Sequence, residues 1–310
     1  MNPLPITRRE AAQLIGTAAA AALFPFPLKA AETTTPMLTR AIPSTGEKIP
    51  AVGLGTWQVF DVGESPNERT PLQEVLARFV QLGGKVIDSS PMYGRAEAVL
   101  GDLTSQLHLR DALFLATKVW TSGKQAGIDS MQRSFERLRV QRLDLMQVHN
   151  LVGVETQLAT MRAWKDQGRL RYLGITHYVD SAFPEVEKII RREQLDFVQI
   201  NYSIIDRKAD ERLLPLARDR GLAVLINRPF ASGSLFSRLR AKPLPEWAAD
   251  FDCKSWAQFL LKWILGNGIV TCAIPATGNV RHLEDNMTAG RGALPDEKTR
   301  QRMVAAVAGF

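Results

Sequence analysis

Cysteine is scarce in this chain: Cys253 and Cys272 are the only two in 310 residues. No C-x-x-C pair and no closely spaced framework exists, so neither a redox motif nor a disulfide-stapled fold is expected. Cys272 falls in the apolar run IVTCAIPA, where a buried thiol is the expected fate. Histidine is equally thin, with four residues at positions 108, 149, 177 and 282 and no H-E-x-x-H, so no metal site is expected. Beyond the N-terminus there is no run of about 18 or more apolar residues, which excludes a stable membrane span in the body. Lys and Arg number 39 against 32 Asp and Glu, a net charge of +7. The basic residues are scattered rather than interleaved with aromatics in a tract, so nucleic acid is not an expected partner.

What is present begins with an atypical N-terminus. Residues 1–31 carry Arg8-Arg9, an Ala-rich apolar stretch from Leu14 to Phe26, and Ala30-Ala31 as a small-residue cleavage site. The arginine pair before a mildly hydrophobic segment is similar to a twin-arginine signal, which exports proteins already folded. A membrane anchor or an unstructured tail is the plainer alternative. Export would place the protein in the periplasm or another extracytoplasmic space, and an unused signal would leave it in the cytoplasm. Loss of Arg8, Arg9, Lys29 and Glu10 would lower the net charge to +5.

From residue 32 the chain reads as one domain with two alternating periodicities. Eight short apolar runs are strand candidates: 51–57, 85–90, 113–119, 143–149, 171–177, 197–203, 223–229 and 270–276. Between them lie amphipathic patterns such as PLQEVLARFVQLG, with Pro71 near a helix start and Gly83-Gly84 at its end. Strands that look buried on both faces, alternating with helices about eight times, predict a (β/α)8 TIM barrel rather than an open sheet. The segment MLTRAIPSTGEKIPAV precedes the first run and predicts a β-hairpin. Residues 230–254 are long and proline-rich for a barrel connection and suggest a lid or binding loop.

Catalytic groups of such barrels come from the C-terminal ends of strands. Asp88, Lys118 and His149 end the second, third and fourth candidate strands, and Tyr93 follows Asp88 in VIDSSPMYGRAE. Each alone has a structural explanation, as a helix cap, a snorkelling amine, a hydrogen-bonded histidine or a packing ring. Together they form an acid catalyst: Lys118 would stabilise the Tyr93 phenolate and lower its pKa from about 10, while Asp88 keeps the lysine charged. His149 would orient a carbonyl or share in proton delivery. Trp57 and Trp120, at strand ends facing the same mouth, are candidates for an apolar substrate wall.

VIDSSPMYGRAEAVLG, ATKVW, LDLMQVHN, LRYLGITHY, FVQINYSIIDR and IPATGNVRHLEDN together resemble the aldo-keto reductase family over roughly residues 38 to 300. The resemblance implies a barrel that binds an extended nicotinamide dinucleotide without a Rossmann domain, and no G-x-G-x-x-G is present. It implies hydride transfer to an aldehyde or ketone, a small-molecule carbonyl substrate, with the tetrad Asp88, Tyr93, Lys118 and His149. Gln199 and Thr176 match the carboxamide contacts, while His177 stands where an Asn is usual. Asn227 occupies the place of a stacking aromatic, with Arg228 or Phe230 as substitutes, and Ser232 and Leu235 match pyrophosphate contacts. Thr277, Gly278 and Asn279 open a helix whose N-terminus would receive a phosphate, and Asp285 and Asn286 match adenine contacts. Ala276 and His282 replace the usual Lys and Arg around a 2′-phosphate, but Arg281 and His282 remain. The balance leans to NADP(H) over NAD(H).

Two other classes stay open. Lys118 as a Schiff-base nucleophile would make the chain a barrel lyase, and tight dinucleotide binding with weak turnover would make it a sensor or subunit. Family members are commonly monomers, and the chain shows no heptad. An exported reductase would need a tightly held cofactor, recycled in place or by a partner.

Overall fold

The computed structural model describes residues 35 to 308; the proposed signal, residues 1–31, lies outside them. A two-stranded hairpin, β1 (Thr39–Ala41) and β2 (Lys48–Pro50), is followed by eight parallel strands in sequential order. These are β3 (Leu54–Gly55), β4 (Val86–Asp88), β5 (Phe114–Val119), β6 (Leu143–His149), β7 (Leu170–His177), β8 (Phe197–Asn201), β9 (Ala223–Asn227) and β10 (Cys272–Ala273). Parallel bridges Val52 to Ala273 and Gly55 to Ala276 join the last strand to the first and close the barrel. Gly53 donates to the Ala273 carbonyl at 2.8 Å and Gly55 to that of Pro275 at 3.0 Å. The expected runs at 51–57 and 270–276 are ordered as strand over only two residues each, because closure there depends on isolated bridges.

Helices cover the outer face. The helix Pro66–Gln81 buries Leu72, Val75, Leu76 and Phe79 at three- and four-residue spacing, with Pro66 rather than Pro71 at its start. Pro71 lies inside that helix, which begins five residues earlier than the sequence pattern suggests because Ser65-Pro66 provides the start. Residues 230–254 also depart from an unbroken loop. They hold a short helix, Ser234–Leu239, and a 3-10 segment, Glu246–Phe251, anchored by buried Leu235, Leu239, Ala248 and Phe251. The prolines at 243 and 245 interrupt the periodicity that would have revealed them.

The barrel interior explains why the strands look apolar at one end and polar at the other. Alternate residues point inward, and the lower positions form one apolar cluster that includes Val86, Phe114, Ala116, Leu145, Tyr172, Phe197 and Leu225. Ile42 and Ile49 of the hairpin join this cluster and plug the N-terminal end. Arg40 fastens the hairpin by donating to the carbonyls of Leu265, Asn267 and Val270. Continuing the same inward series toward the C-terminal end gives Asp88, Lys118, Gln147, His149, Thr176, Gln199 and Asn227. The apolar floor therefore supports a polar layer.

Phe114, Tyr172 and Phe197 hold that floor, with ring centroids 5.5 to 5.9 Å apart. Phe114→Ala is expected to destabilise the fold by about 3–5 kcal/mol, read as a lower midpoint in urea unfolding.

Candidate active site

Four side chains singled out in the sequence meet at the C-terminal mouth. Lys118 is completely enclosed, and its Nζ donates to Asp88 Oδ2 at 2.6 Å and to the Ser89 carbonyl at 2.6 Å. The Asp88 backbone carbonyl accepts from both the amide and the hydroxyl of Thr56, each at 3.1 Å, which fixes the strand end. The Lys118 ammonium also lies 5.2 Å from the centroid of the Tyr93 ring. The Tyr93 and His149 rings meet edge to face at 6.3 Å. His149 Nδ1 pairs with the Ser90 hydroxyl at 3.3 Å, leaving Nε2 as the ring nitrogen available to a ligand.

The charges follow from this packing. Burial is the largest influence on Lys118 and acts to lower its pKa, but Asp88 and Tyr93 together overcome it, and the net direction is upward. The amine is thus held charged. Burial, the largest influence on Tyr93, raises its pKa, with Lys118 pulling down and Asp88 pushing up. The net rise reverses the expectation of a phenol more acidic than usual: desolvation of the phenolate outweighs the lysine. His149 is pushed down to about 3, by burial first and then by Lys118 and His177, so it is neutral near pH 7.

Gln147 was missed in the sequence and belongs to the same constellation. Its Nε2 lies 3.3 Å from Asp88 Oδ1 and 3.2 Å from Gln199 Oε1. The signal was its position two residues before His149, on the same inward face of β6. Ser90 and Thr56 were missed as well, because nothing in a turn sequence shows what its hydroxyls reach.

The remaining candidates occupy the rim. Thr176 and Gln199 are buried and adjacent in the β7–β8 register. His177 accepts from the Val179 amide and stacks on Tyr178 at 5.8 Å. Asn227 has a buried amide oxygen with no partner. Arg228 reaches Ser232 Oγ at 3.0 Å and the Tyr178 carbonyl at 3.3 Å. Arg228, Ala231 and Ser232 all have positive φ, so this turn is held in an uncommon backbone form beside buried Leu235.

At the other end, Thr277 Oγ1 accepts from the Asn279 amide, and Asn279 Oδ1 caps the helix Val280–Thr288 through the amides of Arg281 and His282. Those two amides are therefore already engaged, and the Arg281 and His282 side chains are what this end offers an anion. Asp285 accepts from Ser255 and Gln258 on the adjacent helix, and Asn286 is buried beside it.

Trp57 and Trp120 are 45% and 46% exposed. Met92, Tyr178, Ile205 and Phe236 are the other large exposed apolar residues described. All six follow the C-terminal ends of barrel strands, so the mouth is polar at its floor and apolar at its rim. Among the described residues, no His, Cys, Asp and Glu group is arranged to hold a metal ion, and no helix is long and apolar enough to cross a membrane. Both cysteines are free and buried.

A sequence model described as the Aldo/keto reductase family matches residues 51–302. The chain is 30% identical over 245 residues to the methylglyoxal reductase YeaE of Escherichia coli (strain K12), covering 77% of this chain and 84% of that protein. It is 26% identical to the aldo-keto reductase YhdN of Bacillus subtilis (strain 168), over 64% of each. A solved aldo-keto reductase of Klebsiella pneumoniae in complex with NADPH superposes with a TM-score of 0.71 at 24% identity, covering 86% of this chain and 93% of that one. The holo form of an aldo-keto reductase from Bacillus halodurans gives 0.70 at 20% identity, over 87% and 96%. The last two show a shared fold.

The depressed His149 has a thermodynamic consequence. Its folded pKa lies below the ordinary value of 6.5, so the unfolded chain binds more protons between those values and stability falls as pH drops through that window. In urea unfolding, His149→Gln is expected to lose less stability than the wild type on going from about pH 7 to about pH 4.5.

Proposed function

This chain belongs to the aldo/keto reductase family and is an NAD(P)H-dependent oxidoreductase acting on an aldehyde or ketone, and we propose that Tyr93 protonates the carbonyl oxygen. The observation that carries this assignment is the enclosed Lys118, bonded to Asp88 at 2.6 Å and set against the Tyr93 ring. A phenol raised above its usual pKa stays protonated near neutrality, which a proton donor requires. Lys118 then stabilises the phenolate left behind, and Asp88 keeps the ammonium fixed while charge develops on Tyr93. His149, neutral and anchored through Nδ1, positions the carbonyl oxygen with Nε2. When bound, the reduced nicotinamide supplies the hydride.

The residues present suit that cofactor. Asn227 has an unpartnered amide oxygen, and Gln199, its oxygen already engaged by Gln147, has an NH2 to give. One acceptor and one donor are the set that a carboxamide takes. Arg281 and His282 at the far end favour NADP(H), because a guanidinium binds a 2′-phosphate bidentately. The apolar rim of Trp57 and Trp120 would wall the carbonyl substrate, and the similarity to a protein named for methylglyoxal reduction makes a 2-oxoaldehyde the first compound to assay. A lyase is disfavoured, since a lysine held charged is not a nucleophile.

Tyr93→Phe is expected to lower kcat with NADPH and a carbonyl substrate by about 10²- to 10⁴-fold while dinucleotide affinity in fluorescence titration is kept. Full activity in the variant would remove Tyr93 from its role.

Residues 1–31 are proposed to direct export of the folded, cofactor-loaded protein through the twin-arginine route, leaving 32–310 as the mature, monomeric enzyme, with the nucleotide recycled in place or by a partner. Native mass spectrometry of protein recovered from the extracytoplasmic fraction should show a retained dinucleotide, NADP(H) before NAD(H). Rapid nucleotide loss on dialysis, or protein confined to the cytoplasm, would contradict this.

A further inference from the structure

We propose that Gln147 is a positioning residue that couples the Lys118–Asp88 pair to Gln199 and so sets which way the Gln199 amide faces. The inference rests on the reading that Gln199 meets the nicotinamide end of the cofactor. Asp88, Gln147 and Gln199 come from β4, β6 and β8, alternate strands of the barrel, which place their inward side chains in one layer. Gln147 is entirely enclosed, and its Nε2 is within 3.3 Å of Asp88 Oδ1 and 3.2 Å of Gln199 Oε1.

The chemistry of the three groups leaves one arrangement. An ionised carboxylate only accepts hydrogen bonds, so the Gln147 amide turns its NH2 toward Asp88. The second hydrogen of that NH2 then meets Gln199, which must offer its oxygen. Gln199 is left with its own NH2 to donate to a ligand. The acid that holds Lys118 charged therefore also dictates, through one amide, that Gln199 presents a donor.

Packing alone does not account for Gln147. Its Oε1 is buried with no partner, a penalty that a methionine or leucine of similar bulk would avoid. An amide is needed where one side chain must give a hydrogen to each of two acceptors.

The test is a double-mutant cycle on the full chain, with NADPH binding followed by fluorescence. Q147M is expected to weaken NADPH binding about tenfold, and to add little when combined with Q199A, because the coupling acts through Gln199. Q147E should bind NADPH more tightly as the pH falls, since a protonated glutamic acid regains a hydrogen to donate, whereas Q147M should show no such trend. If Q147M does not fold, Q147N replaces it in the cycle and is expected to show the same loss, its NH2 drawn back by one methylene. Wild-type affinity in Q147M, additive effects with Q199A, or parallel pH profiles for Q147E and Q147M would each overturn the coupling. A wild type that binds NADPH but reduces no carbonyl compound would overturn the reductase assignment while the cycle still reads the coupling. A wild type that binds neither NADPH nor NADH would overturn both.

Discussion

A lysine with almost no exposure to water is tolerable only if its charge is answered, and the Lys118–Asp88 pair is the constraint around which the mouth of this barrel is organised. Taking either ion out of water is expensive, and removing one partner of such a pair leaves a buried charge uncompensated, at a loss of about 3–5 kcal/mol. Every neighbour works to avoid that state. The Ser89 carbonyl takes a second hydrogen of Lys118, Gln147 covers the other oxygen of Asp88, and Thr56 holds the Asp88 backbone. The pair contributes less to stability than to placing a fixed positive charge beside a phenol.

The barrel makes such a site possible through a gradient along its axis. Inward positions change from aromatic and aliphatic at the hairpin-plugged end to ionisable and amide-bearing at the other, within two or three residues of each strand. On β5 the inward series is Phe114, Ala116, Lys118; on β6 it is Leu145, Gln147, His149. The apolar floor keeps water from approaching the ion pair from below, which strengthens its field and also raises the Tyr93 pKa by burial.

Much of this was legible in the sequence because strand alternation and strand ends are local signals. The eight strands, the hairpin and the convergence of Asp88, Tyr93, Lys118 and His149 follow from where apolar runs stop and ionisable residues begin. Where the reading fell short, the missing information was three-dimensional. Gln147 looked like part of an apolar run until its face was fixed by His149 two residues on. Ser90 and Thr56 matter through what they reach, and the bonds that engage Asp285 come from residues about thirty positions away. The helical pieces within 230–254 were hidden by prolines that break periodicity without preventing short helices.

Tyr93 sits under two influences of opposite sign, the lysine charge and its own burial. From sequence, the lysine is the visible neighbour and a lowered pKa follows; in the fold, the same enclosure that makes Lys118 influential also strips water from the phenolate. Desolvation wins, and the ring stays protonated. A proton donor must carry its proton until the carbonyl oxygen demands it, and a phenol held above its ordinary pKa does so while being a weaker acid. In the proposed mechanism the lysine acts late, on the phenolate, when negative charge appears. The field of the enclosed ammonium is then what offsets the weaker acidity that burial imposes on the phenol.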